Sequence, residues 1–332
     1  MKQSIALLAL IAPVEGIVIH APDTAKFSFG SPKCPCIGLS GLDGTTEVQL
    51  SKNVTADYPA DFAARCEAWD NNRNGLHCLP GQTPGADNGW CKEPWCYVDP
   101  CNCDLDEPAT KVTENGYLPA ASYQGKGIWY SYKTCGGTDY WMDPELKKKN
   151  QAEPKICNKT LDEKKWGKEK CRCVGYDDIK GAVNVSMGNN SKAVFPAETG
   201  ATCESWDATR HPDCKGDKPA DWCKQAWCYV DPCECQLDIE PKTSSYLPDG
   251  LLNGKPVYYS YATCGSENTY TATDKGACVN MQSADNCTAL DKCAWDGRKC
   301  LGKEILQTCS RSGAGAIKAT LALAVAFFAA FA

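Results

Sequence analysis

The segment Trp90-Cys-Lys-Glu-Pro-Trp-Cys-Tyr-Val-Asp-Pro-Cys-Asn-Cys103 returns as Trp222-Cys-Lys-Gln-Ala-Trp-Cys-Tyr-Val-Asp-Pro-Cys-Glu-Cys235, identical at 11 of 14 positions. A repeat this rich in cysteine constrains the fold to two copies of one module built on cross-links. It also points to an oxidising compartment, where paired cysteines persist. The first copy carries Cys34, Cys36, Cys66, Cys78, Cys91, Cys96, Cys101, Cys103, Cys135 and Cys157. The second carries Cys171, Cys173, Cys203, Cys214, Cys223, Cys228, Cys233, Cys235, Cys264 and Cys278, which leaves Cys287, Cys293, Cys300 and Cys309 as a tail set. All three sets are even, as closed sets of bridges require. The tenth member of each copy rests on the weakest spacing, 22 residues after the ninth in one copy and 14 in the other. Within each Cys-x-Cys pair the two sulfurs bond each other only with strain, so each is expected to reach a different partner.

Other residues repeat with the cysteines. Cys66-Glu-Ala-Trp-Asp70 matches Cys203-Glu-Ser-Trp-Asp207, and Tyr117-Leu-Pro119 matches Tyr246-Leu-Pro248. Trp129-Tyr-Ser-Tyr-Lys-Thr-Cys-Gly136 matches Tyr258-Tyr-Ser-Tyr-Ala-Thr-Cys-Gly265, an aromatic run that reads as a strand. Thr46 to Val54 and Ala182 to Val185 are further candidate strands, while Gly, Pro, Asn and Asp break up the rest into turns. The expected fold is therefore small, disulfide-rich and mainly β or irregular: tandem modules at 30–160 and 168–280, then a four-cysteine unit at 281–309. Each bridge adds about 2–4 kcal/mol by restricting the unfolded chain, so the modules should collapse on reduction.

The ends carry targeting features. Lys2 followed by the apolar run Ile5 to Val14 and small residues has the form of a secretory signal, with residues 1–21 expected to be removed. At 310–332, small residues lead into the uncharged apolar stretch Ala319 to Ala332, the pattern for transfer to a glycosylphosphatidylinositol anchor at Ser310, Ser312 or Gly313. Sequons at Asn53, Asn158, Asn184, Asn189 and Asn286 mark expected surface positions for N-glycans. A net charge of −6 excludes the basic footprint of a nucleic-acid binder. The lysine-rich stretch Lys147 to Lys170 is interleaved with acids and reads as a solvated linker.

At Trp-Cys-x3-Trp-Cys-Tyr-Val-Asp-Pro-Cys-x-Cys, and again at Tyr-Ser-Tyr-x-Thr-Cys-Gly, the chain resembles cysteine-rich secreted and surface proteins of dinoflagellates and related marine protists. That resemblance covers both repeats and implies a surface location but no activity. The Trp-Cys-Tyr segment ahead of Asp-Pro is also similar to kringle and fibronectin type II modules, whose cysteine order is not followed here. Cys287-x5-Cys293-Ala-Trp295-x4-Cys300 resembles the end of a plexin–semaphorin–integrin spacer module.

Candidate chemistry is sparse. Zinc is disfavoured, because only His20, His77 and His211 are available beside thiols exported to where they oxidise. Calcium is a minor alternative at the acidic turns behind the motif, through Asp99 and Asp106 in one copy and Asp231 and Asp238 in the other. Among the aromatics, Trp69, Trp95, Trp206 and Trp227 are expected to fill a thin core. Trp90 and Trp222, beside loops, are the better candidates for exposure and, with Tyr97 and Tyr229, the candidate rings for a ligand such as a sugar or a protein partner. No nucleophile elbow, zinc-protease helix or phosphate loop is present, so the chain is not expected to be an enzyme. The expectation is a lipid-anchored surface glycoprotein acting by adhesion, recognition or glycan binding. A structural component of a cell coat is the alternative, and a secreted hydrolase with an unassigned site the third.

Overall fold

The computed structural model describes residues 28–71, 78, 88–140, 154–267 and 278–311. The signal segment, the apolar tail with Ser312 and Gly313, and the histidines His20 and His77 lie outside these residues. All 24 cysteines pair, and none is free. In the first copy the bridges are Cys34–Cys103, Cys36–Cys96, Cys66–Cys135, Cys78–Cys91 and Cys101–Cys157. The second copy repeats this connectivity: Cys171–Cys235, Cys173–Cys228, Cys203–Cys264, Cys214–Cys223 and Cys233–Cys309. As expected, no Cys-x-Cys pair is bonded internally.

The tenth cysteine of the second copy is thus Cys309, and the assignment of Cys278 to that copy is corrected. Cys278 joins Cys293, and Cys287 joins Cys300, within the small unit. That unit is an insertion in the last loop of the second copy. The chain leaves after Cys264, closes the two-bridge unit, and returns through the helix Lys303–Arg311 so that Cys309 reaches Cys233. Ile305 of this helix packs on Cys171, Cys173 and Tyr258. The second copy also begins before residue 168. Lys165 and Trp166 accept backbone hydrogen bonds from Cys203 and Cys173, as Ser28 and Phe29 do from Cys66 and Cys36.

The longest strands are β1 (Gly44–Ser51), β2 (Val54–Pro59), β3 (Gly181–Ser186) and β4 (Lys192–Pro196). Each copy supplies one hairpin, with Asn53 or Asn189 in the left-handed conformation at its tip. The hairpins join edge to edge into one four-stranded sheet in the order β4-β3-β1-β2. The joining register is Gly181 with Thr46, Ala182 with Thr45, and Val183 with Gly44. Gly44 and Gly181 each stand eight residues after the second cysteine of their copy, so this pairing is a local two-fold. It is repeated further out. Ser40 bridges to Leu251, and its counterpart Asp177 bridges to Ser122, the counterpart of Leu251.

The cores interlock across the same axis. Leu39 and Leu42 of the first copy pack into the core of the second, with Phe195, Trp206 and Trp227. Tyr176 and Ile179 of the second copy pack into that of the first. Tyr176 Oη donates to the carbonyls of Ile37 and Ala63, at 2.5 and 3.3 Å. What reads in sequence as tandem modules is an intramolecular dimer with exchanged core residues, the self-complementary interface that two-fold symmetry generates.

The aromatic segment of each copy is a shorter strand than expected, Trp129–Ser131 and Tyr258–Ser260. It pairs with Cys96–Val98 or Cys228–Val230. The chain then turns, because Ser131 Oγ accepts from the Thr134 backbone and the Thr134 hydroxyl donates to the carbonyl of Cys34. This turn delivers Cys135 to Cys66. The bridges Cys36–Cys96 and Cys66–Cys135 lie side by side, with 3.7 Å between the sulfurs of Cys36 and Cys66, and the second copy matches it. Among the described residues, no helix is long and apolar enough to cross a membrane.

Candidate functional site

The bridge Glu67↔Trp95 holds the Cys66–Asp70 turn against the repeated motif. It places the carboxylate of Asp70, which is 1% exposed, beneath a group of rings. Trp95 Nε1–H donates to Asp70 Oδ2 at 2.8 Å, and the Tyr117 hydroxyl donates to Oδ1. The second copy rebuilds this hub around Asp207, with Trp227 Nε1–H at 2.7 Å and Tyr246 Oη–H at 2.6 Å. A buried carboxylate is costly unless both oxygens are engaged, so each hub fixes an indole and a phenol in place. Burial raises the Asp70 carboxyl above the ordinary carboxylate range and outweighs the two hydrogen bonds, which pull it down.

Above Asp70 the rings line a cavity of about 400 Å³ that is open to solvent, bordered by Trp90, Trp95, Tyr97, Tyr117, Tyr130 and Tyr132 and by the 110–117 segment. Tyr130 and Tyr132 meet edge to face at 6.0 Å, and Trp95 lies 6.0 Å from Tyr117 and 6.0 Å from Tyr130. The Tyr97 hydroxyl is buried and has no hydrogen-bond partner among the described residues. In the second copy the corresponding space, under Tyr246, Tyr259 and Tyr261, is about 80 Å³. His211 is stacked on Tyr246 at 6.1 Å and meets the edge of Trp222 at 4.9 Å.

Several expectations are corrected by this arrangement. Trp90 is buried, 7% exposed, against Cys78 and Cys91, and it forms part of the cavity wall rather than an exposed platform. Trp222 is half-buried on His211. Tyr97 and Tyr229 are each 1% exposed, so neither presents its ring to solvent. Only Trp90 and Tyr97 of the four come together at one cavity. Trp69, Trp95, Trp206 and Trp227 are core residues, as expected.

The four aspartates considered for calcium do not converge. Asp99 pairs with Lys126 at 2.6 Å and Asp231 with Lys255, and each aspartate also accepts from a turn backbone N–H. Asp106 lies 3.8 Å from Lys133, and Asp238 is exposed. At Asp99 and Asp231 a lysine ammonium already sits where a cation would. Among the described residues, the groups of potential metal ligands that converge are all cysteines, the sulfur tetrads Cys36/Cys66/Cys96/Cys135 and Cys173/Cys203/Cys228/Cys264 and the trio Cys278/Cys293/Cys300. Their sulfurs are bonded to cysteines, which leaves no thiolate for zinc.

Asp70, Tyr117, Tyr130 and Tyr132 are the site residues that reading the sequence missed. The signal was present, since Asp70 and the three tyrosines all recur in the second copy. Of the sequons, Asn53, Asn158, Asn189 and Asn286 are exposed. Asn184 is half-buried in β3 with its side chain bonded to Asp43. Comparison with protein-family models, with curated proteins and with solved structures gives no match.

Burial also raises the phenols of Tyr97, Tyr123, Tyr130, Tyr132, Tyr176, Tyr229, Tyr246 and Tyr261, and it carries Tyr130 up to about 12. An acid raised in the folded state keeps its proton while the unfolded chain loses it, so this stability is present below pH about 10 and is lost as pH rises. Each such phenol steepens the loss by about 1.4 kcal/mol per pH unit. Above pH 10, tyrosinate absorbance should therefore appear in one cooperative step together with loss of near-ultraviolet circular dichroism. Gradual titration with the fold intact would contradict the burial.

Proposed function

We propose that this chain is an exported, lipid-anchored surface glycoprotein that works by binding a small ligand, and that the aromatic cavity of the first copy is its site. The bridges mark a product of an oxidising, extracellular setting. The anchor rests on the small-residue segment Thr308 to Ala316 and the apolar stretch after it. The surface location accords with the resemblance to cysteine-rich surface proteins.

One observation carries the choice of site. A cavity of about 400 Å³, walled by six aromatic rings and floored by a hydrogen-bonded carboxylate, has the size and lining of a small-molecule pocket. Its rings are positioned by the fold before any ligand arrives. The second copy, with the same hub but a space of about 80 Å³, serves as an internal control.

An array of glycans and charged metabolites, probed with the exported protein, tests this reading. Selective hits are expected, and Tyr130→Leu should weaken them at least tenfold, while Tyr259→Leu in the second copy leaves them in place. Hits indifferent to Tyr130 would remove the cavity from the function. The coat-component reading is favoured by the interlocked cores and their shared sheet. It expects no selective hits at all.

A further inference from the structure

We infer that the first-copy cavity selects a small organic ammonium ion, whose charged head sits among the rings of Trp95, Tyr117, Tyr130 and Tyr132 above Asp70. This rests on the cavity being the binding site and adds the chemical class of its ligand. Three observations carry it.

The first is the lining itself. Ring faces carry a negative quadrupole and attract ammonium ions, most strongly where water is excluded, and several rings acting together make the preference for alkylated ammonium. Tyr117 and Tyr130 are half-buried and give the space its accessible ring surface, while Trp95, Tyr132 and Trp90, 2%, 5% and 7% exposed, are packed behind them and keep water from that side. The second is charge. Asp70 lies at the floor, and the charges of Asp139, Asp70 and Glu93 all act on the Tyr132 phenol, as those of Asp139 and Asp70 do on Tyr130. Lys111 is the one basic residue in the lining, and it is exposed. An acidic, aromatic and partly desolvated space disfavours anions and gives a cation what bulk water cannot.

The third is the comparison between copies. Glu93 stands two residues after Cys91 where the second copy has Gln225, and Asp139 stands four residues after Cys135 where the second copy has Asn268, preceded by Glu267. The copy with the smaller space has an uncharged residue in place of Glu93, and its acid after the ninth cysteine is shifted by one position to Glu267. Open space and negative charge occur together in the first copy, which is the combination a cation site needs.

Choline and its uncharged carbon isostere, in which a tert-butyl group replaces the trimethylammonium, separate charge from shape. Calorimetric titration of the exported protein with intact bridges should give choline an affinity at least about tenfold above the isostere. Tyr130→Leu should lose choline by about tenfold or more. The double variant Glu93→Gln/Asp139→Asn, which removes both acids at constant size, should weaken choline several-fold, leave the isostere unchanged and keep the fold. Equal binding of choline and isostere, or an affinity for choline untouched by the double variant, would overturn the ammonium assignment. If choline fails while array hits still depend on Tyr130, the ammonium class falls and the cavity stands. If no hit depends on Tyr130, both fall.

Discussion

Gly44→Ala and Gly181→Ala are each expected to destabilise the protein by about 3–5 kcal/mol, whereas Gly216→Ala changes stability by less than about 0.5 kcal/mol. A Cβ on Gly44 would stand 2.1 Å from the carbonyl oxygen of Ala182 and 2.9 Å from Cα of Val183. One on Gly181 would stand 2.1 Å from the carbonyl oxygen of Thr45. These are backbone atoms of a paired strand and cannot rotate away. Both glycines also have positive φ, 147° and 126°, so a side chain is disfavoured before it meets anything. Gly216 has open space around it and serves as the control. Thermal unfolding of the three variants checks the ranking.

The two-fold sharpens that expectation. Because Gly44 and Gly181 lie in one antiparallel seam, opposite Val183 and Thr46, either alanine prises β1 from β3, and the double variant should cost little more than one of them. Each copy keeps its five bridges, so the expected product is a molecule with two loosened copies rather than an unfolded chain. Partial rather than total loss of near-ultraviolet circular dichroism would show it. Full additivity of the two substitutions would mean the glycines serve separate structures and that the seam is not a unit.

The division of what was legible follows the range of each interaction. The modules could be read because a bridge ties cysteine identity to covalent structure, and Cys-x-Cys geometry excludes local pairing. The partner of Cys233 could not, since the insertion of 278–300 moved Cys309 far from its expected spacing while leaving Cys278 nearby. An even count was equally satisfied by both partitions, so parity gave no warning. The seam was hidden for a different reason. Gly44-Thr45-Thr46 and Gly181-Ala182-Val183 each read as ordinary strand starts, and nothing local says that they pair with one another. Tyr176 likewise looks like a core residue of its own copy until its hydroxyl is found on Ile37 of the other. At the site, tryptophans read from sequence as ligand platforms, whereas the repeated Asp70 and Asp207 are the residues that organise the rings.

Removing one bridge of a sulfur tetrad should have the other large effect. Cys66→Ala with Cys135→Ala opens a loop of 69 residues, for which chain entropy alone gives about 4 kcal/mol, an upper figure because four other bridges already restrict the copy. Cys214→Ala with Cys223→Ala opens a loop of nine, worth about 2–3 kcal/mol on the same basis. The difference should be larger in practice than these figures suggest. Cys135 is buried against the neighbouring bridge, so its loss leaves a void beside Cys36, Cys96 and Trp129. It also frees the Thr134 turn, which holds Tyr132 at the end of the aromatic strand. The long-loop variant is therefore expected to lower the melting temperature more than the short-loop one and to abolish ligand binding. The Cys214/Cys223 variant, confined to the second copy, should leave binding within about twofold. Equal destabilisation by the two pairs would show that the tetrads are ordinary cross-links.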